Sequence, residues 1–147
     1  DTPFNIIIEF AHTPDALEKA INAVRDFTKG RVITLFGCSG DRDKTKRPKM
    51  GRISTDLSDV VVVTSDDPRT EDPDEIIKEI LIGTVGSKAE VIAITDRFEA
   101  IKKAMQIAEK GDTVLLAGKG HELYQVFGTE YRPFDERELI KEALASL

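Results

Sequence analysis

The sequence predicts an α/β fold: a Rossmann-like, doubly wound open sheet, mostly parallel, with helices on both faces and a short irregular or antiparallel segment near the carboxyl end. Three observations carry this. Short apolar runs rich in β-branched residues alternate with helical patterns from one end of the chain to the other. One of them, Val60-Val61-Val62-Val63, lacks polar alternation and so needs cover on both faces, as parallel strands have. The length, 147 residues with 40% hydrophobic, suits one domain around one core of ordinary size.

In chain order, strands are expected at Phe4–Phe10, Arg31–Phe36, Val60–Thr64, Ala89–Thr95 and Thr113–Ala117. After the first, Thr13 supplies a cap and Pro14 a pre-set first turn to a helix whose apolar stripe is Leu17, Ala20, Ile21, Val24 and Phe27. Pro48 opens a shorter helix after the second strand, and Pro73 with Asp74 opens one through Ile76, Ile77 and Ile80. Asp96 caps a fourth helix with Phe98, Ile101, Met105 and Ala108 on one face. Gly30 and Gly111 follow helical stretches, where a left-handed closing residue is wanted. Tyr124–Phe134 reads as a short strand pair around Gly128, and Asp135 caps a last helix carrying Leu139, Ile140, Ala143 and Leu144.

Charge and composition narrow the function. The net charge of −6 and a pI near 5.0 argue against a nucleic-acid partner or an anionic membrane surface. A single cysteine excludes a disulfide framework or multi-thiolate metal site, and a reducing cytoplasm is the expected location. No apolar run is long enough to span a membrane, and no signal peptide is recognisable. The chain opens on Asp1 and enters an apolar strand almost at once, as a piece of a longer protein would.

In a parallel sheet the loops after the strands converge on one edge, where open α/β folds bind their ligands. The second loop, Gly37–Pro48, holds two glycines and the cations Arg42, Lys44, Lys46 and Arg47, a local anion site in an acidic chain. The third, Thr64–Pro73, sets Asp66 and Asp67 beside Pro68 and Arg69, a combination suited to a zwitterion: acids for an ammonium, a guanidinium for a carboxylate. The fifth, Gly118-Lys119-Gly120-His121-Glu122, fails the dinucleotide pattern because Leu123 stands at its third glycine, leaving a close-approach backbone and an acid. His12 sits at a strand end beside a helix amino terminus. There is no Walker loop and no nucleophile elbow, and Cys38 has no base in its own loop.

Together, Ala11-His12-Thr13-Pro14-Asp15-Ala16-Leu17, Phe36-Gly37-Cys38-Ser39-Gly40-Asp41-Arg42-Asp43-Lys44, Arg47-Pro48-Lys49-Met50-Gly51, Thr64-Ser65-Asp66-Asp67-Pro68-Arg69 and Gly118-Lys119-Gly120-His121-Glu122 closely resemble the carboxyl-terminal domain of MurE-type Mur ligases, over nearly the whole chain. The resemblance implies an ATP-dependent carboxylate–amine ligase of peptidoglycan synthesis, and hence of cell-wall assembly, cell shape and division. Such an enzyme activates the D-glutamate of UDP-N-acetylmuramoyl-L-alanyl-D-glutamate as an acyl phosphate, which the amine of meso-diaminopimelate or L-lysine attacks. It implies that residues 1–147 form the amino-acid-binding, ATP-site-closing domain. The UDP-binding domain and the central ATPase domain, which holds most of the ATP and Mg²⁺ contacts, would precede it. No catalytic residue and no metal ligand is then expected in this chain, which should be inert alone. The implied amino-acid site is Arg42, Asp66, Asp67, Pro68, Arg69, Gly118 and Glu122, with Glu9, His12 and Thr13 near the nucleotide.

Two departures from the family pattern bear on this. Asp67 stands where enzymes for meso-diaminopimelate usually have asparagine; Arg69 favours diaminopimelate, while an acid beside it would partly neutralise the guanidinium and leave lysine open. Glu9 stands where the family usually has aspartate. A stand-alone binding module for an amino acid or nucleotide, or a related amide ligase such as a cyanophycin synthetase, are the alternative readings.

Overall fold

The computed structural model describes residues 2–147. Its strands are β1 (Asn5–Glu9), β2 (Val32–Phe36), β3 (Val60–Val63), β4 (Glu90–Ala93) and β5 (Thr113–Ala117), in the spatial order β1-β5-β2-β3-β4, every pairing parallel. A separate antiparallel pair, β6 (Tyr124–Phe127) and β7 (Glu130–Pro133), turns around Gly128. The five helices are α1 (Pro14–Phe27), α2 (Lys46–Leu57), α3 (Pro73–Ile82), α4 (Arg97–Ile107) and α5 (Glu136–Ala145).

The period-2 alternation of strands divides the core in two. Val61 and Val63 of β3, with Val32, Phe36, Leu115 and Ala117, face Leu17, Ile21 and Val24 of α1, Met50 of α2 and Ile76, Ile77 and Ile80 of α3. Val60 and Val62, with Ile33, Leu35, Val114 and Leu116, face Ala100, Ile101, Ala104 and Met105 of α4 and Ile140 and Ala143 of α5. Central strands β2, β3 and β5 are buried throughout, whereas the edge strands β1 and β4 are only half-buried. That difference explains why the expected runs Phe4–Phe10 and Ala89–Thr95 shorten at both ends: an edge strand stops where its single neighbour stops. Phe10 lies beyond the ladder and is exposed.

The Thr13, Asp96 and Asp135 side chains accept from the backbone N–H groups of Ala16, Glu99 and Arg137, as expected of caps, each worth about 1 kcal/mol. Asp72 caps α3 by accepting from Asp74 N–H. Three expectations are corrected. Helix α2 begins at Lys46 rather than Pro48 and is longer than α3, because Pro48 fits within its first turn, where no N–H partner is required. Gly30 is not left-handed; it is small because Asp112 packs against it, a Cβ there falling 2.4 Å from Asp112 Oδ1. Phe27, placed on the buried stripe of α1, is exposed at the helix end, where the sheet no longer covers it.

Candidate functional site

Loops after β1, β2, β3 and β5 meet at the carboxyl edge of the sheet, and their contact is locked by buried charge. Arg97, the first residue of α4, is fully buried. Its Nη1 donates to Ser65 O (2.9 Å) and its Nη2 to Ala117 O (3.2 Å), fastening the ends of β3 and β5. Its Nε donates to Glu136 Oε2 of α5 at 2.9 Å. Burial opposes the guanidinium charge, but Glu136 and Asp66 outweigh it and hold the pKa above its ordinary value. Lys119 is equally buried; its Nζ donates to Asp67 Oδ1 at 2.6 Å and stands 3.8 Å from Asp66 Oδ1 and 3.6 Å from Glu122 Oε1. Gln125 and Val126 of β6 complete the join, donating to Asp66 O (2.6 Å) and Asp67 Oδ1 (2.9 Å).

On this base the third loop presents Arg69 outward. Arg69 has a φ of +52°, a left-handed conformation that costs a non-glycine residue roughly 1–2 kcal/mol. The strain is held by Arg69 N–H donating to Val126 O (3.0 Å) and by Nη1 donating to Gly40 O (3.2 Å). Gly40 is needed there, since a Cβ would fall 1.8 Å from Pro68 O. Beside Arg69 lies a cleft of about 310 Å³ lined by Asp67, Arg69, Glu122, Leu123, Tyr124, Val126 and Tyr131, at the small end of ligand-pocket sizes. Tyr124 and Tyr131 meet edge to face, with ring centroids 6.2 Å apart.

Of the expected site residues, Asp67, Arg69 and Glu122 line this cleft. Pro68 and Gly118 are buried behind it and shape the backbone. Asp66 is 1% exposed, packs against Gly118, lies 3.8 Å from Lys119 Nζ, and has no hydrogen-bond partner on either carboxylate oxygen among the described residues. Arg42 is on the same edge but exposed, its Nη1 donating only to Asp41 O. His12 Nε2 bonds Gly118 O at 2.6 Å; since a carbonyl only accepts, that nitrogen is the donor. Thr13 is spent on its cap, and Glu9 ends β1 with an exposed carboxylate. A ring nitrogen of His12 and carboxylate oxygens of Asp66 and Glu122 lie within 4.8 Å of one another.

The cationic second loop is corrected by its partners. Arg47 is fully buried, donating to Glu71, Glu79 and Ser39 O. Lys44 stands 3.5 Å from Glu71, and Lys46 donates to His12 O, so these three cations tie the edge together rather than cradle an anion. Hydrogen bonds from Arg47 hold the Glu71 carboxyl down to about 2. Asp67 stands beside Arg69 as expected: its Oδ1 accepts from Lys119 and Val126, while its Oδ2 lies 3.9 Å from Arg69 Nη2, a long ion pair that partly offsets the guanidinium charge. Burial pushes the Cys38 thiol up to about 12, in keeping with no covalent chemistry. Sequence reasoning missed Arg97, Glu136, Gln125 and the anchoring role of Lys119; a lone lysine between two glycines was the one available signal.

Fold and site together define the class. The chain belongs to the family described as Mur ligase, glutamate ligase domain, whose model matches residues 1–120. It is 53% identical over 144 residues to UDP-N-acetylmuramoyl-L-alanyl-D-glutamate–2,6-diaminopimelate ligase 1 of Clostridium acetobutylicum, covering 98% of this chain and 30% of that one. The ligase of the same name from Synechocystis sp. is 52% identical over 144 residues, covering 98% and 28%. A solved structure of a UDP-N-acetylmuramoyl-L-alanyl-D-glutamate–2,6-diaminopimelate ligase superposes with a TM-score of 0.92 at 37% identity, over 99% of this chain and 30% of that one. The chain thus spans about 30% of the length of these relatives. Among the described residues no helix is long and apolar enough to cross a membrane.

Proposed function

We propose that residues 1–147 are the carboxyl-terminal domain of a cytoplasmic MurE-type ligase and supply its pocket for the incoming diamino acid. In the whole enzyme, ATP activates the D-glutamate carboxylate of UDP-N-acetylmuramoyl-L-alanyl-D-glutamate as an acyl phosphate, and the amine of the diamino acid attacks it. The observation that carries the reading is the cleft of amino-acid size lined by both Arg69, whose backbone is held in a left-handed conformation, and Glu122. Arg69 receives a carboxylate, Glu122 and the Gly118 backbone receive an amine, and Arg42 stands at the outer rim.

The same geometry favours meso-diaminopimelate over L-lysine. The two differ by a carboxylate, and Asp67, its Oδ1 drawn to Lys119 at 2.6 Å and its Oδ2 3.9 Å from Arg69 Nη2, offsets the guanidinium only in part and leaves it able to meet that group. The relatives carry diaminopimelate in their names.

ATP and Mg²⁺ belong to the proposed central domain. Glu9, His12 and Thr13 do not by themselves fit a triphosphate: they offer one acid, a histidine engaged with Gly118 and a hydroxyl engaged in a cap. The chain alone is therefore expected to be inert, closing the site and excluding water when joined to the rest.

Arg69→Ala in the full-length enzyme tests the assignment. Loss of a charge-assisted contact is worth about 1.5–3 kcal/mol, so the KM for the diamino acid should rise roughly 10- to 150-fold, with KM for ATP unchanged. Unchanged diamino-acid kinetics would confine Arg69 to the turn.

A further inference from the structure

We propose that Lys119 sets the charge of the cleft and thereby selects its occupant, a positioning role beyond the joining of loops. This rests on the diamino-acid reading above and names the residue that tunes it.

Lys119 follows β5 and is fully buried. Its ammonium stands among three carboxylates: Asp67 Oδ1 at 2.6 Å, Glu122 Oε1 at 3.6 Å and Asp66 Oδ1 at 3.8 Å. Only the first of these is a hydrogen bond. Asp67 and Glu122 line the cleft, and Lys119 does not. The ammonium therefore acts from behind the wall, and a ligand meets its charge through those two acids.

Asp67 is held between two cations: its Oδ1 takes the short contact to Lys119, and its Oδ2 lies 3.9 Å from Arg69 Nη2. The shorter, fully buried contact is the stronger, so the carboxylate stays on Lys119 and most of the guanidinium charge is left for a ligand. Without Lys119, Arg69 is the cation remaining at ion-pair distance from Asp67 among the described residues. The carboxylate would then close on the guanidinium, and a substrate carboxylate would have to displace it.

The charge count points the same way. Asp67, Glu122 and Arg69 together leave the cleft with one negative charge in excess, and Lys119 cancels it. A neutral cleft suits the distal end of meso-diaminopimelate, which carries an ammonium and a carboxylate on one carbon. A negative cleft suits the distal end of L-lysine, a bare ammonium.

The test follows the ratio of kcat/KM for meso-diaminopimelate to that for L-lysine in the full-length enzyme, with UDP-N-acetylmuramoyl-L-alanyl-D-glutamate and ATP. Lys119→Met makes the cleft negative, so the ratio should fall by about tenfold or more, through a higher KM for diaminopimelate with its kcat within about threefold. Asp67→Asn keeps an oxygen for Lys119 and Val126 but removes a negative charge, so the ratio should rise by about fivefold. In the double variant the two charge changes cancel, and the ratio should return to about the wild-type value. A purely structural lysine would lower both substrates alike and leave the ratio unmoved. Lys119→Met alone strands a buried carboxylate, and if it does not fold, the comparison of Asp67→Asn with the double variant decides. A ratio equal in those two overturns the proposal and leaves the ligase reading in place. A wild-type enzyme that forms product with neither amino acid overturns that reading and the proposal with it.

Discussion

The carboxyl edge of the sheet has an inner layer and an outer rim made of the same residue types put to opposite uses. In the inner layer Arg97 and Lys119, with no solvent exposure, each meet an acid at hydrogen-bond distance and join loops that the sequence keeps far apart. On the rim Arg69 is partly exposed and Glu122 and Arg42 are exposed; no ion pair joins these three, and Arg69 and Glu122 meet Asp67 and Lys119 only at 3.9 and 3.6 Å. Charge in a loop therefore does not announce its role; its partners do. Closed pairs fix geometry, and open charges wait for a ligand.

The sharpest way to break this comparison is to remove an inner cation. Lys119→Met leaves Asp67 buried without its partner and should cost about 3–5 kcal/mol, read from urea unfolding of the full-length enzyme or of this domain if it folds alone. A loss below about 1 kcal/mol would show that the inner layer is not what holds the loops.

Next in size is an acid-dependent loss centred on Glu71. Its carboxyl titrates at about 2 when folded against an ordinary 4.5, because Arg47 hydrogen-bonds it. A group whose folded pKa is depressed contributes fully above its unfolded value and loses that contribution as pH falls toward the folded one. Stability should therefore drop as pH falls from 4.5 toward 2, by about 1–2 kcal/mol from this group once solvent screening of a partly exposed pair is allowed for. Glu71→Gln should flatten that part of the pH profile; an unchanged slope would assign it to other acids.

The smallest effect is expected on the rim. Arg42→Ala removes an exposed guanidinium whose one hydrogen bond among the described residues is to its neighbour's carbonyl, so the KM for the diamino acid should rise by no more than about fivefold, well short of Arg69→Ala. Equal effects would place Arg42 in the pocket beside Arg69.

These differences also explain what the sequence could disclose. The strands were legible because Val60–Val63 and Thr113–Ala117 are β-branched or aliphatic runs whose burial needs no partner's identity. Helix starts were legible because Thr13, Asp96 and Asp135 act within three residues of themselves. The Asp66–Arg69 loop stood out because its composition is unusual. By contrast, Arg97 and Glu136 are 39 residues apart, and Lys119 and Asp67 are 52 apart. Local pattern carries no trace of such pairs, so the four-cation loop read as an anion site until the fold supplied its partners.

The central claim is that Arg69, only partly offset by Asp67 at 3.9 Å, meets the carboxylate that distinguishes meso-diaminopimelate from L-lysine. The kcat/KM of the full-length enzyme for each amino acid, with the same nucleotide substrate and ATP, tests it directly. A preference for meso-diaminopimelate of about 100-fold or more is expected, since lysine would leave the guanidinium without its partner. A tenfold or greater preference for L-lysine would contradict the account and return Asp67 to the role of receiving a distal amine.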